Sequence, residues 1–422
     1  MKIPAVMQAH IDRLLAKTTN PTLKSLFSDC YLNTWSTTIQ ETADDAFVIT
    51  GDIPAMWLRD SSAQVKNYLA LMPESPEIAD MVRKVINRQM LSITQDPYAN
   101  AFNFEANGHG HTDDRPLQSP WVWERKYEID SLCYPIHLAY QYWKIADRTD
   151  VFTETAQKAF ALILDTWTTE QDHNASPYYF LRDNCPPTDT LTNDGRGTPV
   201  APTGMTWSGF RPSDDACTYG YLVPSNMFAV VALTEMAEIL RTIYADETLA
   251  AKADALRNEI DAGIHAHAII ETAEFGKVYA YEVDGLGNHL FMDDANVPSL
   301  MSAPYLGYCD VNDPIYQNTR KMLLSSANPY YYEGKAAKGI GSPHTPVDSI
   351  WPIALAMQGL TATDLDEKKM LLGFLLDSNA GTGFMHESFH KDDPKTFTRP
   401  WFAWANTICS EFFIDCINNG II

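Results

Sequence analysis

The chain lacks any run approaching the roughly 20 apolar residues of a membrane span, and residues 1–15 hold no apolar stretch of signal-peptide length. It is therefore expected to be soluble, to avoid membrane and to stay unexported, in the cytoplasm. Cysteine is scarce: seven residues, an odd number, with no Cys-x-x-Cys spacing, so neither a zinc ribbon nor a disulfide framework is suggested. Cys133, Cys409 and Cys416 fall in apolar helical patterns, where cysteine acts as a small buried hydrophobe. Basic residues are also few. Against 54 Asp and Glu stand 31 Lys and Arg, a net charge of -23 that repels nucleic acid and anionic lipid and favours a neutral or cationic ligand. No Pro/Gly/Ser linker or low-complexity tract divides residues 1–422, which read as one domain.

What the chain has is a recurring unit. Six times a polar, aromatic, Pro- or Gly-bearing loop runs into an apolar helical pattern with Asp or Asn in its first turn, beginning near Asp60, Asp130, Asn226, Asp294, Asp348 and Asn406. Between these lie six more charged, amphipathic patterns at 5–17, 76–93, 151–171, 247–264, 314–326 and 365–377. A helix apolar on most sides must be buried, and an amphipathic one covers it, so the alternation predicts an all-α (α/α)6 barrel with an inner and an outer ring. A minor β-hairpin is expected within a loop, pairing 277–282 with 288–291.

Parallel inner helices would bring their preceding loops together at one end. Those loops hold Trp57, Trp121, Trp123, Trp207, Trp351, Trp401 and Trp404, suited to stacking on sugar rings, with Trp351 and Trp401 expected to plug the barrel instead. Residues 50–65 add Trp57, Arg59 and Asp60 at a helix mouth, where Asp60 or Ser61 would cap the first amides. A pocket of carboxylates, amides and aromatics without a phosphate loop or nucleophile motif suggests glycoside cleavage by two carboxyl groups, one acid and one base. Asp214 and Asp215, before the third inner helix, and Glu387, before the sixth, are the candidates. His109, His111, Asp113 and Asp114 form the competing metal signal, but alternating histidines in an Asn-Gly loop read as solvated or substrate-edge, so no metal and no cofactor is expected. His386 and His390, flanking Glu387, are expected to position it or touch sugar.

The segments TGDIPAMWLRDSSAQV, WERKYEIDSLCYP, GFRPSDDACTYGYLVPSNMFA, MDDANVPSLMS and FMHESF together resemble glycoside hydrolase family 125, exo-α-1,6-mannosidases of (α/α)6 fold. The resemblance spans nearly the whole chain. It implies an inverting, metal-independent hydrolase acting on α-1,6-linked mannosides such as N-glycan fragments, with Asp214 as general acid and Glu387 as general base. Together with loop position it nominates Arg59, Asp60, Glu128, Asp294 and His344 beside Trp57 for binding the sugar. Inversion requires the two carboxyls roughly 6.5–9.5 Å apart, which loops on opposite sides of a six-fold ring can supply. The alternatives are another (α/α)6 glycosidase or phosphorylase acting on α-glucosides, or a non-catalytic glycan-binding toroid.

Overall fold

The computed structural model describes residues 1–421. Six helices surround the axis: Leu58–Val65, Ile129–Ala146, Val223–Thr242, Ala303–Leu306, Pro352–Leu360 and Ala403–Asn418. The first packs on the second, the second on the third, the third on the fourth and the fifth on the sixth, and the sixth returns to the first. Around them stand Pro76–Gln95, Glu154–Thr169, Glu247–His267, Pro314–Leu323, Leu365–Asp377 and Pro21–Thr37. The fold is an (α/α)6 barrel, and its buried apolar side chains run through both rings.

The sixth outer helix differs from the expectation. The 5–17 pattern does form a helix, Ala5–Leu15, but it packs beneath the 3-10 segment Lys66–Glu74; the ring is closed by Pro21–Thr37, which packs on the first and sixth inner helices. Asn20 accepts a bond from the Leu23 amide and Pro21 opens the first turn, so the start signal was present in the sequence. The fourth inner helix is a stub. Instead of continuing from Asp294, the chain stays irregular to Ser302, because Pro298 lacks a donor and the Asp293 carboxylate takes the amides of Leu300 and Met301.

The two rings begin their helices differently. Outer helices are capped by their own side chains: Asn20, Ser75, Thr153, Asp246, Asp313 and Asp364 each accept from an amide two or three residues on. None of the six inner helices has a side-chain cap, and neither Asp60 nor Ser61 serves as one. Short strands lead into the first, third and fifth, and neighbouring chain takes early amides instead: Leu58 N–H donates to Asn100 O, Val223 N–H to Tyr281 O and, at the sixth, Ala403 N–H to Thr50 O. The rim is thereby stitched together, and the uncapped helix ends favour the acids in their first turns, Asp60 and Asp130.

The hairpin is partly as expected. Glu282–Val283 pairs with His289–Leu290, but Gly276–Tyr279 turns back onto Ile269–Thr272, and Glu282–Val283 also pairs with Tyr221–Leu222 at the mouth of the third inner helix. That helix, Val223–Thr242, corrects another expectation: it is long and apolar enough to cross a membrane, with a mean hydropathy of 1.3 over 18 residues. It is 78% buried over that window, because neighbours of both rings surround it.

Candidate active site

At the rim the loops enclose a small, largely polar pocket. Trp57, Arg59 and Asp60 reach it from the first inner helix, Ser213 and Asp214 from the third and Asn296 from the fourth; His344 and Trp351 come from the fifth, and Glu387, Arg399, Phe402 and Trp404 from the sixth.

Asp214 is presented by strained backbone. Its φ of 66° lies in the left-handed region, rare for a residue with a side chain, and the loop is held there by Asp214 N–H on Arg211 O, Arg211 N–H on Asp215 O and Lys126 Nζ on Asp214 O. Its Oδ1 accepts from Trp57 Nε1 at 3.3 Å, Arg59 Nη2 at 3.1 Å and Asn100 Nδ2 at 3.3 Å. Burial works to raise its pKa, but Arg59, a hydrogen bond from Glu128, Lys126 and His344 outweigh burial and hold the carboxyl well below the usual range. Asp215 points elsewhere. It is 1% exposed, lies off the pocket wall and binds His344 Nδ1 through Oδ1 at 2.9 Å. Partial burial opposes a charged His344, yet Asp215, Glu387 and Asp214 raise its pKa to about 9.

Glu387 faces the pocket from the other side, its carboxylate 3.4 Å from Arg399 Nη1. Arg399 is in turn fixed by Asp52, with Nη2 to Oδ1 at 2.6 Å. Sequence reasoning missed Arg399. Its signal was composition: Arg399-Pro-Trp leads into the sixth inner helix much as Trp-Leu-Arg59 opens the first. Asn296, Ser213 and Phe402 were missed as well.

Arg59 is the hub of the acid side. It is 3% exposed and pairs with Glu128 at 2.5 Å, Asp130 at 3.1 Å and Asp214 at 3.1 Å, with Asp60 at 3.6 Å from Nε. Burial raises Asp60 to about 6 although Arg59 opposes it, and raises Asp130 and, further, Glu128. Two nominated sugar ligands lie behind the wall. Glu128 is covered by Arg59 and Ser131, and Asp294 accepts from Ser213 Oγ at 2.8 Å and from Asn296, so it positions two wall residues from beneath.

Of the seven rim tryptophans only Trp57, Trp351 and Trp404 line the pocket. Trp351, expected as a plug, is a wall residue held by its Nε1 on Thr345 Oγ1; Trp401 bonds Asn33 and Trp207 stacks on His173, both away from the pocket. Trp404 also borders a second, smaller pocket between the inner helices, lined by Lys66, Tyr134, His137 and Glu411 among others. His386 stacks on Phe397 and His390 accepts the Asp392 amide, and neither lines the pocket. In the His109–Asp114 loop, Asp114 takes a bidentate bond from Arg182, and His111 lies 3.6 Å from Glu124. Among the described residues no three His, Cys, Asp or Glu are grouped to hold a metal ion.

A sequence profile of the family described as metal-independent alpha-mannosidase (GH125) matches residues 20–414. The meiotically up-regulated gene 157 protein of Schizosaccharomyces pombe is 42% identical over 424 residues, covering 94% of this chain and 82% of that one. A Streptococcus pneumoniae structure, described as a metal-independent alpha mannosidase in a non-productive complex with alpha-1,6-mannobiose, superposes with a TM-score of 0.97 at 48% identity over 99% of both chains. A bacterial glucoamylase bound to acarbose shares the fold, with a TM-score of 0.61 and 13% identity over 93% of this chain and 55% of that one. By profile, sequence and fold together, the chain belongs to glycoside hydrolase family 125, the metal-independent α-mannosidases.

Proposed function

We propose that the protein is an exo-acting, inverting α-1,6-mannosidase in which Asp214 protonates the leaving oxygen and Glu387 activates water. One observation carries this reading: two carboxylates borne by loops of the third and sixth inner helices face a single pocket beside two arginines and three tryptophans. Binding alone requires no such opposed acids. Glu387, 3.4 Å from Arg399 Nη1, stands where it can take a proton from water on one face of the anomeric carbon. Asp214, close to Trp57 and Arg59, stands where a leaving oxygen would receive a proton. Arg59, Asp60 and His344 on the wall supply charged and hydrogen-bonding partners for mannose hydroxyls, and Trp57, Trp351 and Trp404 supply flat apolar faces.

Support for the exo mode comes from the loops that ring the pocket, an arrangement suited to a chain end. Support for the α-1,6 linkage comes from the disaccharide carried by the Streptococcus pneumoniae relative, and fragments of mannose-rich N-glycans are the substrates we infer. The test is to digest α-1,2-, α-1,3- and α-1,6-mannobiose side by side and follow the first product by proton NMR. Selective release of β-mannose from the 1,6 isomer is expected. Comparable turnover of all three would sink the linkage, and α-mannose as first product would sink inversion.

A further inference from the structure

Two chain segments far apart in sequence build the Glu387 side of the site. In the hairpin of Ser388–His390 with Asp393–Thr398, Ser388 is paired with Thr398 and their hydroxyls meet at 2.7 Å. Glu387 and Arg399 are the next residues on the two strands, so the ladder delivers them side by side to the pocket wall. Glu387 is 5% exposed. Among the described residues its carboxylate takes one hydrogen bond, from Arg399 Nη1 to Oε1 at 3.4 Å, and Oε2 takes none. The aim of Glu387 therefore depends on where that guanidinium is held.

Arg399 is held from across the junction of the first and sixth inner helices. Residues 50–52, on the way to the first, lie against 399–403, which lead into the sixth. Asp52 N–H donates to Trp401 O, Ala403 N–H to Thr50 O, and Gly51 bridges Phe402. Gly51 has a φ of 128°, and a Cβ on it would stand 2.5 Å from the Trp401 carbonyl oxygen, so only glycine lets the two segments approach this closely. That approach sets Asp52 against Arg399. Arg399 Nε lies 3.1 Å from Asp52 Oδ1 and 3.2 Å from Oδ2, Nη2 lies 2.6 Å from Oδ1, and Nη2 also reaches Thr50 Oγ1 at 3.4 Å. The forked contact is the strong one between guanidinium and carboxylate, and Asp52 takes it with the Nε–Nη2 edge. Nη1 alone is left to Glu387, which orients that carboxylate without covering both of its oxygens.

We propose that Asp52 is a positioning residue for turnover: by occupying the Nε–Nη2 edge of Arg399 it aims Nη1 at Glu387 and keeps the second Glu387 oxygen open to water. The inference rests on Glu387 being the general base. Asp52 is not part of the pocket wall, so its effect on the reaction runs through Arg399.

The experiment measures Asp52→Ala, Asp52→Glu, Arg399→Ala and the Asp52→Ala/Arg399→Ala double variant on α-1,6-mannobiose and on an aryl α-mannoside with an activated leaving group. Asp52→Ala should lower kcat roughly 10- to 100-fold with KM little changed, and by a similar factor on both substrates, because a misaimed base slows attack whatever departs. Asp52→Glu keeps a carboxylate for Arg399 and should recover most of that loss. In the Arg399→Ala background, Asp52→Ala should cost less than about threefold more. A loss confined to KM would overturn the proposal and make Arg399 a ligand of the sugar. Independent, multiplying losses in the double variant would overturn it too, as would Asp52→Glu performing no better than Asp52→Ala. Calorimetric melting isolates a purely structural role: a lowered melting temperature with kcat per folded molecule intact would assign residues 50–52 to ring closure alone. Glu387→Gln judges the underlying assignment separately. If that variant keeps its rate, the base reading itself has failed; if it is crippled on both substrates while Asp52→Ala turns over normally, only the positioning role falls.

Discussion

The adjacent carboxylates of Asp214 and Asp215 have different surroundings, and substitution should expose it. Asp214→Asn should slow α-1,6-mannobiose far more than an activated aryl mannoside, whereas Glu387→Gln should cripple both, since water needs a base whatever the leaving group; each role is commonly worth about 10²- to 10⁴-fold. Asp215→Asn should act through His344. That histidine is raised to about 9 by Asp215 against the pull of burial, so contacts that need its charge are complete below its ordinary value of 6.5 and fade as pH rises through 9. Removing the partner charge should move the alkaline limb of kcat/KM toward neutral pH, and an unmoved limb would show that His344 charge does not matter to turnover. Placement of Asp214 and Glu387 on converging loops was legible because both precede apolar helices. The direction each side chain takes was not: Asp214 and Asp215 are distinguished by a positive φ and by Lys126, Arg211 and His344, residues distant in sequence.

Among the elements, a close approach between inner helices lies where Gly359 on the fifth meets Phe412 on the sixth. A Cβ there would come within 2.3 Å of the ring, and Gly359→Ala should cost about 1–3 kcal/mol by overpacking. Gly373, inside the outer helix Leu365–Asp377, has nothing within 4 Å of its would-be Cβ, so Gly373→Ala should instead stabilise by about 0.5–1 kcal/mol. Calorimetric melting of the two variants should give shifts of opposite sign. The alternation of apolar and amphipathic patterns made the rings legible, because burial on every side leaves a composition that solvent would not tolerate. It could not show that Pro21–Thr37 closes the ring, since the partners of that helix sit on the first and sixth inner helices. Nor could it show how far Asp293 and Pro298 shorten the fourth inner helix, since a proline near a helix start is ordinarily harmless.

At the scale of the molecule, a net charge of -23 surrounds a site whose proposed substrate is neutral. Salt should therefore leave kcat/KM for mannobiose nearly unchanged, in contrast to a steered, charged ligand. Exhaustive EDTA treatment should likewise leave the rate intact, and loss restored by zinc or calcium would demand a metal role for the His109–Asp114 loop. Trp404 has a consequence on this scale too. Trp404 lines the site pocket and also a smaller pocket beside Lys66, His137 and Glu411, so one indole packs against both. Trp404→Ala should therefore loosen the wall that meets the sugar and raise KM for α-1,6-mannobiose more than it lowers kcat; an unchanged KM would show that the indole serves packing alone.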